Sequence, residues 1–204
     1  MTIMDAKRNF VIDSAANLFL ERQIATVTVK EIAKASGVGE ATIYRYFSTK
    51  HELVVACALK LQSETEMMFS KYNSGNLKGF KGIEKFYRTF LEAFKKRPQL
   101  YHFLSEFDAY CISNNIDNLD EYADNMDRFK SAFITAYNEG VNEGSVRRIE
   151  NIELFYYSTT HAILSLCKKL ASCDGVLRQD KAIDKGAEIE TLINTVLFSL
   201  KAAV

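Results

Sequence analysis

TVTVKEIAKASGVGEATIYRYFSTKHEL, residues 26–53, is the stretch on which the fold turns. Thr28 and Glu31 stand three apart, the spacing of a capping box, in which a hydroxyl accepts from a backbone N–H and the carboxylate reaches back to the cap. Val29, Ile32 and Ala33 then form an apolar stripe at i, i+3 and i+4, predicting a short helix. Ser36-Gly37-Val38 stops it, because Gly37 can take the positive φ that a tight interhelical turn needs. Gly39 is an acceptable N-cap for a second short helix, Glu40 to Tyr46. Ile43 and Phe47, one turn apart, face inward. Thr49 and Glu52 repeat the capping box and open a third, longer helix.

A helical hairpin that only packs has little use for Thr42, Tyr44, Arg45 and Tyr46 on one seven-residue helix with Lys50 just beyond it. A DNA-reading unit does, because phosphates are positioned by hydroxyls, cations and helix N-termini. Base edges are read from the start of a recognition helix.

The segment resembles the DNA-binding domain of the TetR family of one-component transcriptional regulators. Thr28, Ile32, Ala33, Ala35, Gly37, Val38, Thr42, Tyr44, Tyr46, Phe47, Lys50 and Leu53 follow that family's pattern in order. The match covers about the first fifty residues; beyond them the likeness is one of architecture. It implies an all-α protein of about nine helices, with a helix-turn-helix domain over 1–48 and a helical effector-binding and dimerisation domain over 49–204. It also implies a homodimer through the last two helices on a palindromic double-stranded DNA operator, acting as a repressor released by a small apolar or aromatic effector. Thr28, Thr42, Tyr44, Tyr46 and Lys50 are expected at phosphates, and Gly39, Glu40, Ala41 and Arg45 at or near base edges.

Three departures from the family pattern stand out. Gly39 replaces the usual Ser. Glu40 cannot bind phosphate; it either accepts from a cytosine amine or complements the positive helix N-terminus. Gln23 stands where a Gly often closes the first helix, so it adopts a strained left-handed conformation or the helix ends in another way. Arg45 has two readings, bidentate to guanine or bound to phosphate.

Composition narrows the function classes. Lys and Arg together number 26, as do Asp and Glu, so the chain carries no net charge to bind polyanions indiscriminately. Residues 1–60 hold eight Lys/Arg against six Asp/Glu, a slight basic excess that a dimer would concentrate on one surface. One proline among 204 residues favours long helices, and no apolar run of about 18 residues predicts a membrane span. The N-terminus has no apolar signal-peptide core, so a cytoplasmic location is expected. Cys57, Cys111, Cys167 and Cys173 form no CxxC pair and no zinc spacing; core packing is the simpler reading, a Cys167–Cys173 redox pair the alternative. No metal, cofactor or enzymatic chemistry is expected.

Outward from the opening stretch, a helix is predicted from Asp5 to Arg22, with Lys7 and Arg8 near its start, exposed to a phosphate partner or simply to solvent. The third helix of the opening unit continues from Lys50 to about Tyr72. Asn73 to Asn76, with Gly79 and Gly82, is expected to make a loose joint. Helices follow from Ile83 to Lys96, from Pro98, which suits a first turn, from Leu119 to Gly140, from Asn151 to Ser172 and from Ala182 to Ala203. Leu119, Tyr122, Met126, Phe129, Phe133, Ala136 and Gly140 alternate in steps of three and four. The apolar run Leu154 to Tyr157 covers more than one helix face, which favours a dimer over a monomer core.

Phe103, Phe107, Tyr110, Phe129, Phe133 and Tyr137 are the candidate lining of an effector pocket, against the simpler reading that an aromatic stripe is core. Glu106, Asp108, His102 and His161 are the nearby titratable groups, with a carboxylate beside aromatics suited to a cationic ligand. Two rivals remain: a DNA-binding regulator without a small ligand, controlled by a protein partner, and a helical lipid carrier or enzyme whose head only resembles the motif.

Overall fold

The computed structural model describes residues 3–73, 78–172 and 180–202. Among these, α1 spans Ile3–Glu21, α2 Val29–Ser36, α3 Glu40–Tyr46, α4 Lys50–Asn73 and α5 Gly79–Lys96. Next come α6 Pro98–Ser113, α7 Asp120–Asn142, α8 Ile152–Ser172 and α9 Lys185–Leu200, the last preceded by a 3₁₀ turn at Asp180–Ala182. Extended pairing among the described residues is limited to one isolated antiparallel bridge, Val146 to Lys201. No described helix is long and apolar enough to cross a membrane. Cys173 and the Ser74–Asn76 break lie outside the described residues.

Two apolar cores organise the chain. The first gathers Val11, Ala15 and Phe19 of α1, Ile32 of α2, Ile43 of α3, and Leu53, Val54, Cys57 and Leu61 of α4. Leu100, Phe103 and Phe107 of α6 complete it, so residues 1–48 do not close their own core. The second joins α5, α7, α8 and α9 around Ile83, Tyr87, Phe133, Ile163, Ile189 and Ile193, all fully buried. The α7 stripe serves both: Leu119 and Tyr122 pack on the first core, Phe129 and Phe133 on the second. Met126, between them, stays exposed.

Helix ends follow the local chemistry. Pro98 opens α6 at its first turn, where its missing N–H costs nothing. Asp184 caps α9 by accepting from the Ala187 N–H at 2.7 Å. The second capping box differs from expectation. The Glu52 N–H donates to Thr49 Oγ1 at 3.2 Å, but the Glu52 carboxylate accepts from the Ser48 N–H at 2.9 Å, one residue earlier than a reciprocal box requires. Gln23 is not left-handed. Helix α1 ends at Glu21, and the chain turns with the Thr26 N–H donating to the Gln23 carbonyl at 3.1 Å.

The start of α5 is tight, where Gly79 and Gly82 suggested looseness. Gly79 has φ +57 and Gly140 lies against it: a Cβ on Gly140 would sit 2.4 Å from Val146 Cγ2 and 3.1 Å from Gly79 Cα. The start of α5 and the end of α7 thus approach to backbone contact, and backbone cannot swing aside. Gly140→Ala should gain about 1 kcal/mol of helix propensity yet lose more to overpacking, which costs about 1–3 kcal/mol and more where backbone is the obstacle. The expected outcome is a net loss of stability, read as a lower urea midpoint at unchanged m-value; an unchanged or raised midpoint would refute the close approach.

Candidate nucleic-acid interface and body cavity

The head is assembled from caps inward. The Glu31 N–H donates to Thr28 Oγ1 at 3.2 Å while the Thr28 N–H donates to Glu31 Oε2 at 2.8 Å, the reciprocal box read from the spacing. The Thr28 hydroxyl gives its own proton to the same carboxylate at 2.8 Å. Arg22 closes on Glu31 at 2.6 Å, and that guanidinium together with the Thr28 bonds holds the Glu31 carboxyl at about 2, below its ordinary 4.5. A depressed carboxylate adds stability that is full above its unfolded pKa and is lost as pH falls through the folded one. Acid unfolding should therefore steepen between about pH 4.5 and 2, and Glu31→Gln should flatten that part of a stability–pH profile. Identical profiles would show the box to be idle.

Gly37 ends α2 with φ 64, and the Val38 N–H donates to the Ala33 carbonyl at 3.2 Å. The turn leaves Val38 against the first core and starts α3 from an extended Gly39. Ile43 and Phe47 are buried and anchor α3. With those two turned in, Gly39, Glu40, Ala41, Tyr44 and Arg45 fall on the exposed side, and Thr42 and Tyr46 are half-buried at its edges. Tyr44 is 51% exposed. The Arg45 guanidinium lies over the Tyr46 ring, 5.4 Å from its centroid, which stiffens both. Arg8 of α1 stacks over Phe47 at 4.8 Å, so its guanidinium sits at the end of the exposed helix. Sequence spacing left Arg8 ambiguous, because α3 begins only at Glu40, far along the chain.

Lys50 has a structural duty. Its ammonium donates to the Ile24 carbonyl at 2.6 Å and ties the start of α4 to the α1–α2 loop. Partial burial lowers its pKa, and the Glu31 charge opposes that shift. A second, longer bond reaches the Ala25 carbonyl at 3.4 Å, which leaves one ammonium proton for another acceptor.

The body encloses a cavity of about 260 Å³ between α4, α5, α6, α7 and α8. Its inner wall is Phe86, Phe90, Tyr101, Leu104, Phe129 and Leu164; its polar side includes Gln62, Thr65, Lys130, His161 and Lys168. Of the six aromatics expected to line a pocket, Phe129 does so. Phe103 and Phe107 stack with centroids 5.9 Å apart inside the first core. The Tyr110 hydroxyl meets His51 Nδ1 at 2.9 Å at the head–body junction. Phe133 is fully buried among Phe86, Tyr87 and Tyr156, and the Tyr137 hydroxyl accepts from the Ile149 N–H at 2.8 Å. The difference arises on two helices: on α7, Phe133 and Tyr137 turn to the second core. The α6 stripe spans two faces, and the one bearing Phe103 and Phe107 turns to α1 and α4, leaving Tyr101 and Leu104 to the cavity.

Sequence reasoning did not assign the α8 side of the cavity. Tyr157, His161, Leu164 and Lys168 recur at helical spacing, and that period was the available signal. The titratable groups singled out earlier divide: His161 reaches the cavity, while Asp108 pairs outside it with Lys168. Cys57, Cys111 and Cys167 are buried and free. Burial pushes the Cys167 thiol up to about 12, which leaves it unreactive.

The cavity is joined mechanically to the head. Leu61, Gln62 and Thr65 of α4 form part of its wall. Gln62 Nε2 donates to the Tyr122 carbonyl at 2.9 Å and its Oε1 accepts from Asn125 Nδ2 at 2.9 Å, fastening α4 to α7. Two residues before Gln62, Lys60 pairs with Asp13 of α1 at 3.1 Å and with Glu64, which Arg97 holds at 2.6 Å. One helix, α4, thus lines the cavity and pairs with α1 of the head.

The family model described as bacterial regulatory proteins, tetR family, matches residues 11–57. The HTH-type transcriptional repressor KstR2 of Rhodococcus jostii (strain RHA1) is 24% identical over 153 residues, 74% of this chain and 72% of that protein. Among solved structures, the ketosteroid transcriptional regulator KstR2 of Mycobacterium tuberculosis aligns over 96% of this chain and 95% of its own, with a TM-score of 0.67 and 15% identity. A TetR family transcription regulator from Marinobacter aquaeolei VT8 aligns over 98% and 97%, with a TM-score of 0.63 and 19% identity.

Proposed function

This chain belongs to the TetR family of transcriptional regulators, and from that premise we propose that it is a homodimeric repressor that leaves its operator when a small effector fills the body cavity. The observation that carries the reading is that one helix, α4, both lines the cavity and packs on α1 of the head that presents the exposed, anchored α3. Thr42, Tyr44, Tyr46 and Lys50 serve phosphates, Lys50 with the proton that Ile24 and Ala25 do not take, while Thr28, expected at a phosphate too, gives its hydroxyl proton to Glu31 and caps α2 instead. Gly39, Glu40, Ala41 and Arg45 face base edges.

The dimer reading draws on α8 and α9, which leave Leu154 62% and Phe198 84% exposed. Large apolar side chains this open on the last two helices suit an interface between copies. Pairing them sets two heads on one surface, as half-sites about 34–36 Å apart require. The effector acts by population shift: it favours the state whose heads do not fit the operator, and lowers DNA affinity by its differential affinity for the two states. The cavity favours this over control by a protein partner, which needs no hollow body. We assign the chain no catalytic role and place it in the cytoplasm, where its DNA is.

A gel shift on genomic fragments at stepped salt tests the reading. The expected result is a specific complex whose affinity falls steeply with salt, because phosphates supply much of it. No specific shift on any fragment at moderate salt overturns it.

A further inference from the structure

The geometry points to an amphipathic monoanion as the effector class: an apolar body in the aromatic cavity and a carboxylate at the Lys130–His161–Lys168 edge. The inference rests on the effector reading above and names the chemistry of that site.

Most polar groups inside the cavity bond to the protein itself, and the Tyr122 and Tyr156 residues add a hydroxyl each to a wall that is otherwise largely apolar. The Tyr101 hydroxyl donates to the Phe90 carbonyl at 2.9 Å, Thr160 to the Tyr156 carbonyl at 2.7 Å and Thr65 to the Leu61 carbonyl at 2.8 Å. Gln62 is spent on Tyr122 and Asn125. Among the described residues, no buried side-chain nitrogen or oxygen lacks a partner. A ligand polar along its length would lose its water there and find little replacement. The body that fits is apolar.

The edge is different. Lys130 lies over the Tyr157 ring, 5.5 Å from its centroid, and donates to the Tyr157 hydroxyl at 3.3 Å. The Tyr157 and His161 rings stand 5.7 Å apart, and Lys168 follows His161 two turns along α8. Both ammoniums belong to the cavity wall, with side chains only 25% and 16% exposed. Their carboxylate partners face out: Asp127 is 65% exposed and Asp108, which is not part of the wall, 56%. The wall therefore carries two lysines against one aspartate, with a histidine beside them. Bonds to Tyr157 and Asp127 raise the Lys130 pKa, so it stays charged at neutral pH. A ligand carboxylate would share ammonium protons with Asp127 and Asp108 in a partly desolvated place, where charge-assisted bonds are strong. A cationic ligand would meet the two ammoniums instead. At about 260 Å³ the space is at the small end of ligand pockets, so the body is a medium alkyl chain or a single substituted ring.

Matched pairs test the class on the full chain by calorimetry: decanoate against decan-1-ol, and 4-phenylbutyrate against 4-phenylbutan-1-ol. In at least one pair the acid should bind roughly tenfold or more tighter than the alcohol. Lys130→Gln and Lys168→Gln should each cut acid binding severalfold and leave the alcohol unchanged, which also reports an intact cavity. Equal binding of acid and alcohol, equal loss of both in the variants, or no binding of any probe overturns the proposal. The effector reading is judged separately by the gel shift. An alcohol that binds and releases DNA as well as its acid sinks the anion class alone. An acid that binds with lysine dependence but leaves the DNA complex intact sustains the anion site and sinks the effector reading.

Discussion

Tyr44→Ala should weaken operator binding about a hundredfold while leaving helicity, thermal unfolding and oligomeric state unchanged. The size follows from what the side chain can do. Its ring is half exposed on α3, which Ile43 and Phe47 anchor without its help. A hydroxyl on a phosphate is a bond to a charged acceptor, worth about 1.5–3 kcal/mol. A two-headed complex loses that bond twice, so about 3 kcal/mol disappears at the low end, or roughly a hundredfold. Binding isotherms of wild type and variant on one operator, beside circular dichroism and sedimentation, measure it. A variant that unfolds would place Tyr44 in the core, and one that binds normally would remove it from the interface.

Phe133→Ala should cost about 3–5 kcal/mol, the range for deleting a buried Phe. Phe133 is fully buried, with ring centroids 5.4 Å from Phe86, 5.7 Å from Tyr87 and 5.2 Å from Tyr156. These neighbours come from α5 and α8, so the void would open where three helices meet. At about 2–4 °C per kcal/mol for a chain of this length, the melting temperature should fall by roughly 10 °C. Calorimetry or urea titration reads the effect. A loss below about 1 kcal/mol would mean that Phe133 faces open space, as a pocket-lining residue would.

The head was legible because its signals are local. Thr28 with Glu31, Gly37 with Val38, and the Ile43–Phe47 turn each act within four residues, and the structure shows the same box, the same left-handed glycine and the same buried pair. Where a local reading failed, a neighbour had intervened: Glu52 bonds back to Ser48 instead of Thr49, and Gly79 meets Gly140 across sixty residues. The aromatic positions show the limit most clearly. Periodicity marks that Phe103, Phe107, Phe133 and Tyr137 turn inward, and all four do. It carries no information on whether the inside at that point is solid or hollow.

By itself the sequence determined an all-helical chain, the frame of the short α3 and the family of its head, because caps, turns and apolar period are written in neighbouring residues. Only the tertiary structure decided where the hollow lies. Packing α6 against α1 and α4 spends Phe103 and Phe107 on the first core, and packing α7 against α5 and α8 spends Phe133 on the second. What remains is the gap bordered by Tyr101, Leu104, Phe129 and the lysine edge of α7 and α8. A void is a property of how faces from distant segments meet, and no residue's own neighbours encode it.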